Sequence, residues 1–285
     1  MEIWLILLLA FVQGLAELLP VSSSSHVIVV MKLFKLDPSD PKMVFLLMML
    51  HTGTMFAVIV YFWSRWKDRI WPKGQLDLDF LWSVAVATVV TGVLGLGLKF
   101  LIEKVILEGM MGQPNGEVES LFKSVPLMAT SLTMVGLLIL VAGFTERDWG
   151  KPLTTRTALW IGFIQGLCLP FRGFSRSGAT ISVGLFRGLP RKLAEEFSFA
   201  LAVVLTPPLV AYSAYKLFKD KAMSSAEVFA MISPGLLGMV FAFLAGLLAL
   251  KLLSTLLEGG RWAWFGVYCL CFAGVLFTGV GLGWF

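Results

Sequence analysis

Two short stretches of this sequence carry most of the side chains that could do chemistry in otherwise apolar surroundings. The first holds Gln13 and Glu17, then Pro20 and Val21, four serines from Ser22 to Ser25, and His26. Residues four apart on a helix share a face, so Gln13 and Glu17 are expected side by side. A helix that restarts after Pro20 would present free N–H groups and a positive dipole end, and both favour an anion. One histidine and several serines beside an acid also supply a nucleophile and an acid/base. The second stretch reads Gly173-Phe174-Ser175-Arg176-Ser177-Gly178-Ala179-Thr180. A guanidinium matches phosphate oxygens bidentately, and glycines let backbone N–H groups come close. This is a phosphate cradle in composition but not a P-loop, because the lysine is absent and no strand precedes it. The plainer use of the same residues is structural, with serines capping a helix and Glu17 paired with Arg176. The two uses are compatible, since such a pair would hold a site open until an anion arrives.

These groups sit in a chain built for lipid. Of its 285 residues, 58% are hydrophobic and 14% are charged, whereas soluble domains carry about 25% charge. Six stretches approach the roughly 20 apolar residues a span needs: Met43–Trp63, Trp82–Ile102, Val125–Phe144, Phe197–Tyr215, Val228–Leu250 and Ala263–Phe285. Leu5–Met31 and Ala158–Phe186 differ, being apolar at both ends and polar in the middle. Interrupted backbone at membrane depth is viable only when buried in protein or lining a wet cavity. Both stretches are therefore expected to be re-entrant helix–break–helix hairpins. The net charge of +5 reads as a topology signal rather than nucleic-acid binding, since no basic run is long enough for that. Cys168, Cys269 and Cys271 lack the spacing and partners of a disulfide framework or zinc site. No Lys or Arg precedes Lys32 and no small-residue cleavage site follows, so a cleaved signal peptide is not expected.

The two polar stretches repeat each other. Phe11-Val12-Gln13-Gly14-Leu15 matches Phe163-Ile164-Gln165-Gly166-Leu167, and the same displacement carries Ser23 onto Ser175, Ser24 onto Arg176, Ser25 onto Ser177 and Phe45 onto Phe197. The expected fold is all-α and integral to the membrane, a single membrane domain of two repeats. Residues 1–150 and 151–285 would each hold one re-entrant hairpin and three transmembrane helices. Three is odd, so the second repeat must be inverted relative to the first. Loop charge then places Arg65, Lys67, Arg69 and Lys73 in the cytoplasm, and Glu103, Glu108, Glu117 and Glu119 outside. Arg147, Lys151 and Arg156 return the chain to the cytoplasm, where Arg187, Arg191 and Lys192 agree, and both termini fall outside. Lys216, Lys219 and Lys221 run against this scheme. Trp4, Trp63, Trp66, Trp82, Trp149 and Trp160 read as interfacial anchors.

Taken together, the two stretches resemble the motif pair of the undecaprenyl-diphosphate phosphatase family, also called the bacitracin-resistance family. The first motif is (E/Q)-x-x-x-E followed by P-V-S-S-[ST]-x-H, met here by Gln13, Glu17 and Pro20 to His26; the second is P-G-x-S-R-S-x-x-T, met by Gly173 to Thr180. The resemblance runs nearly the full length and takes in Leu50-His51-Thr52-Gly53-Thr54 and Glu196-Phe197-Ser198-Phe199. Ser25 stands where glycine is common, and Arg172 takes the usual proline place.

The resemblance implies hydrolysis of undecaprenyl diphosphate to undecaprenyl phosphate and inorganic phosphate, recycling the lipid carrier of cell-wall synthesis in the bacterial inner membrane. Arg176 would stabilise charge on the transferring phosphoryl group. Glu17 with Gln13 would hold a divalent cation, Mg2+ or Ca2+, shared with the substrate. Gln13, Ser22, Ser24, Ser25, Gly173, Ser175, Ser177 and Thr180 would bind the diphosphate, with the active site facing outside. Ser23 and His26 both stay open as the nucleophile; their three-residue spacing favours attack by Ser23 with His26 taking its proton. His51 reads as a capping or hydrogen-bonding residue, and Glu196 as a helix-start residue or a contact to the second hairpin or a cation. The expected partners are a polyprenyl diphosphate and the bilayer, with no nucleic acid and a homodimer left open. The competing function is a secondary transporter or flippase for a lipid phosphate, which would need the same cradle but no nucleophile beside an acid.

Overall fold

The computed structural model describes residues 2–38, 40–110, 124–145, 150–220 and 225–284. Glu117, Glu119, Arg147, Trp149, Lys221 and Phe285, which carry parts of the loop-charge, anchor and span expectations, lie outside the described residues. Among the described residues all regular structure is helical, with no strand. In chain order the helices are α1 (Ile3–Leu18), α2 (Ser23–Leu33), α3 (Pro41–Ile70), α4 (Leu78–Phe100, continued by a π-helical stretch, Leu101–Met110) and α5 (Val125–Thr145). They continue with α6 (Thr155–Cys168), α7 (Arg176–Phe186), α8 (Arg191–Asp220), α9 (Ser225–Glu258) and α10 (Ala263–Gly281). Among the described residues six of these, α3, α4, α5, α8, α9 and α10, are long and apolar enough to cross a membrane. They fall on the six stretches expected from the sequence.

Local chemistry sets the helix ends. Asp40 caps α3 by accepting from the Lys42 N–H at 2.7 Å, with Pro41 in the first turn where its missing N–H costs nothing. Pro207 and Pro208 lie inside α8 and Pro234 inside α9, as membrane helices tolerate.

The two polar stretches are helix–break–helix units, α1–α2 and α6–α7. Leu19, preceding Pro20, is extended (φ −77°, ψ 150°), as the proline ring requires, and that ends α1. The chain re-enters a helix through Ser22, a non-glycine residue at φ 68°. In the second unit the reversal falls to Gly173 at φ +99°, where a Cβ would also collide with the Met128 carbonyl. Ser175 then caps α7 by accepting from the Gly178 N–H at 3.3 Å.

Packing ties the halves together. α1 lies against α9, and α6 against α4, so the first helix of each unit packs on a span from the other half. Small residues allow the approach: a Cβ on Gly14 would meet Ala245, and one on Gly162 would meet the Ala87 backbone. α3 packs on α8 and α9, and α5 packs on α10 and α7. The main core runs through this junction, with Phe62, Phe197, Phe199 and Trp262 fully buried.

Candidate active site

A single carboxylate joins the two polar stretches. Glu17 is the penultimate residue of α1, and its side chain is only 19% exposed. Its Oε2 accepts from Ser23 Oγ at 2.5 Å and from Gln13 Nε2 at 3.0 Å. Its Oε1 accepts from Arg176 Nη2 at 3.3 Å. Ser23 is the first residue of α2 and Arg176 the first of α7. Two helix N-termini therefore converge on the place where Glu17 now sits, a geometry that favours anions. Ser177 Oγ donates to the Leu19 carbonyl at 3.5 Å and links α7 to the break after α1.

His51, on α3, completes the cluster. Its Nδ1 is 2.9 Å from Gln13 Nε2 and 3.6 Å from Glu17 Oε2. The Gln13 amide has two hydrogens and gives one to Glu17 and the other to His51, so Nδ1 of His51 accepts and its proton sits on Nε2. From the sequence His51 was expected to cap or hydrogen-bond. It does hydrogen-bond, but to the site itself. Glu17 and Arg176 border a very small space between α3 and α8, with Thr54 and Val58 on one side and Val203 and Thr206 on the other.

His26 faces elsewhere. Its Nδ1 lies 2.8 Å from the Ser22 carbonyl and its Nε2 lies 2.7 Å from the Tyr268 hydroxyl on α10. Its ring stacks on Phe272 with centroids 4.1 Å apart. No hydrogen bond joins Ser23 to His26 among the described residues, so the expected proton path from Ser23 to His26 is not set up in this state. The side chain poised to take that proton is Glu17. The three-residue spacing is compatible with either arrangement. What decides is the break, which folds the start of α2 back onto α1.

The other expected anion ligands divide. Ser22 and Ser25 are buried and share a hydrogen bond of 3.1 Å, while Ser24 is half-buried. Ser175 Oγ is engaged as the α7 cap and lies 3.5 Å from Ser177 Oγ. Thr180 is fully buried, with its hydroxyl on the Arg176 carbonyl at 2.8 Å and on Ser198 at 2.6 Å. Its place is to fix the start of α7 to α8, beneath Arg176. On the same helix, Ser182 accepts from the buried Trp262 indole at 3.1 Å. Gly173 contributes its backbone conformation.

Sequence reasoning also missed a second polar cluster. Glu195 is fully buried; its Oε1 accepts from Ser254 at 2.5 Å, Ser254 accepts from Tyr61 at 2.9 Å, and Arg65 stands 3.5 Å from Oε2. Glu196 pairs with Arg69 at 2.6 Å, so it bridges α8 to α3 rather than reaching the second unit. Arg65 and Arg69 were expected in a loop, but α3 continues to Ile70 and carries both.

The donor set bears on the expected cation. Among the described residues no three His, Cys, Asp or Glu side chains gather as a metal centre. The hard oxygen donor in place is the Glu17 carboxylate; Gln13 turns its NH2 toward Glu17 and would offer its amide oxygen only with the amide flipped. That partial set fits Mg2+ or Ca2+ shared with a diphosphate and water rather than caged by protein alone.

The fold and the cluster define a class: a multi-pass helical membrane protein with a carboxylate, a serine hydroxyl and a guanidinium joined inside its bundle. Residues 6–275 match the sequence model of the family described as bacitracin resistance protein BacA. The chain is 50% identical over 282 residues to undecaprenyl-diphosphatase 2 of Acinetobacter baylyi, covering 98% of each. It is 33% identical over 288 residues to an undecaprenyl-diphosphatase of Desulfosudis oleivorans, covering 94% of each. It is 32% identical over 302 residues to undecaprenyl-diphosphatase 2 of Burkholderia ambifaria, covering all of this chain and 98% of the relative. This chain belongs to the bacitracin resistance protein BacA family.

Proposed function

We propose that this protein hydrolyses undecaprenyl diphosphate to undecaprenyl phosphate and inorganic phosphate in the bacterial inner membrane, and so recycles the lipid carrier of cell-wall synthesis. The observation that carries the reading is one carboxylate, Glu17, holding a serine hydroxyl and an arginine at the N-termini of two facing helices. A transporter or flippase needs the arginine and the helix ends. It has no use for a hydroxyl hydrogen-bonded to a buried base.

In the proposed mechanism the diphosphate displaces Glu17 from Arg176 and occupies the space between α2 and α7. Arg176 takes the terminal phosphoryl oxygens, aided by the free N–H groups of the two helix ends. Ser23 Oγ attacks the terminal phosphorus and gives its proton to Glu17. The bond from that phosphorus to the bridging oxygen breaks, and undecaprenyl phosphate leaves. Water then attacks the phosphoserine phosphorus, the bond from phosphorus to Ser23 Oγ breaks as Glu17 returns its proton to Oγ, and inorganic phosphate and the proton lost by the water are released. Glu17 and Gln13 would hold a divalent cation, Mg2+ or Ca2+, whose charge, when bound, offsets that of the diphosphate.

The same reading makes α1–α2 and α6–α7 re-entrant hairpins and the two halves inverted repeats, with the site open to the outer face. The reciprocal packing of α1 on α9 and α6 on α4 supports it. The test is phosphate release from a C55 diphosphate by the purified protein in detergent, with and without chelator. Turnover that chelator suppresses and added Mg2+ or Ca2+ restores is expected. Binding without phosphate release would favour the transporter.

A further inference from the structure

His26 is the one site residue held mainly from outside the two polar units. A carbonyl has no proton, so the 2.8 Å contact to the Ser22 carbonyl requires the His26 proton on Nδ1. In the neutral ring Nε2 is then the acceptor, and the Tyr268 hydroxyl at 2.7 Å must be the donor. The Tyr268 and Phe272 rings lie nearly parallel to the imidazole, at interplanar angles of 12° and 19°. The neighbouring Cys269 thiol donates to the Pro20 carbonyl at 3.4 Å, so this segment of α10 also braces the break before α2. A tyrosine that merely anchored a helix at the membrane surface would turn its hydroxyl to water and headgroups. Tyr268 is 45% exposed, yet its hydroxyl is spent on an imidazole nitrogen.

We propose that Tyr268 is a positioning residue that acts through His26. It fixes the ring in the Nδ1–H tautomer, keeps Nε2 off Ser23, and leaves Nε2 a lone-pair acceptor for the proton of the water that attacks the phosphoserine. The proposal rests on the reading of the site given above. It explains why Ser23 uses Glu17 as its base although His26 is one helical turn away. In the resting protein the histidine is committed to α10.

The test is a double-mutant cycle in the full-length protein in detergent, with C55 diphosphate as substrate. Tyr268→Phe keeps the ring stack and removes one hydroxyl. It is expected to lower kcat about ten-fold, the low end of what orienting partners of functional histidines contribute, with KM changed less than two-fold. In the His26→Ala background the same substitution is expected to change kcat by less than two-fold. An equal loss in both backgrounds, or no loss in either, overturns the proposal. A readout independent of turnover is 15N NMR of ring-labelled histidine, simplified because the chain has 2 histidines. Tyr268→Phe should alter the His26 ring nitrogens and leave those of His51 in place, whereas an unchanged His26 spectrum overturns the proposal. Wild-type turnover by His26→Ala alone would instead sink the catalytic reading of His26, with the ring spectrum still deciding whether Tyr268 positions it.

Discussion

The two helix–break–helix units share one plan and divide the chemistry. The displacement that places Gln13 on Gln165 places Glu17 on Leu169, Ser24 on Arg176 and His26 on Gly178. The first unit thus holds the carboxylate, the serine hydroxyl that donates to it and the histidine. The second holds the guanidinium, and its matching serine, Ser175, is committed to capping a helix. Gln13 spans Glu17 and His51, whereas Gln165, fully buried, donates only to Thr91 at 3.0 Å. The turns differ as well, with a serine at positive φ in the first unit and a glycine in the second. Backbone strain at a non-glycine residue is retained where the surroundings over-determine it, often at functional sites. Under the proposed mechanism, the first unit would keep the proton chemistry and the second would act as an electrostatic clamp, each on a helix end.

The largest expected effects lie in the first unit. Ser23→Ala should remove turnover, and Glu17→Gln should lower it about a thousand-fold, in the range of a lost general base. The fold should persist in Glu17→Gln, since glutamine keeps the shape and a donor–acceptor pair; helicity by circular dichroism checks this. Activity in Glu17→Gln that also kept chelator sensitivity would place the cation elsewhere. Next comes the clamp. Arg176→Lys keeps the charge but loses the planar fork, and should cost about a hundred-fold in kcat. Near-wild-type turnover there would erase the division between the units. A transplant sharpens the comparison further. Leu169→Glu in the Glu17→Gln background should rescue less than three-fold, because Ser175 caps α7 and is not free to attack. Substantial rescue would mean that the second unit retains a latent reaction centre. The smallest contrast pairs the glutamines: Gln13→Leu should lower kcat about ten-fold, and Gln165→Leu less than two-fold, read from matched assays.

Much of this was legible in the sequence. The six spans follow from apolar run length, and the two breaks from proline and serines placed where lipid-facing helix cannot continue. The Gln13–Glu17 contact follows from helical spacing, and the placement of Arg176 opposite Glu17 from the repeat. The rest depended on contacts between distant helices, which local spacing does not encode. His51 is a lone histidine in an apolar span, and nothing nearby marks it as a partner of Gln13. Nothing in the sequence around Tyr268 marks it as a partner of His26. Arg65 and Arg69 looked like loop charges because the apolar run ends before them, yet buried Glu195 and Glu196 keep them inside α3. Thr180 matched a phosphate-binding pattern by type, while its burial against Ser198 gives it a structural place.

The central claim is that Ser23, backed by Glu17 and faced by Arg176, receives the phosphoryl group. Its most direct test is rapid acid quench of the protein turning over C55 diphosphate labelled in the terminal phosphate, followed by peptide mapping. The account predicts an acid-stable phosphoserine at Ser23, absent from Ser23→Ala and enriched when the second step is slowed. An acid-labile phosphohistidine at His26, persisting in Ser23→Ala, would contradict it.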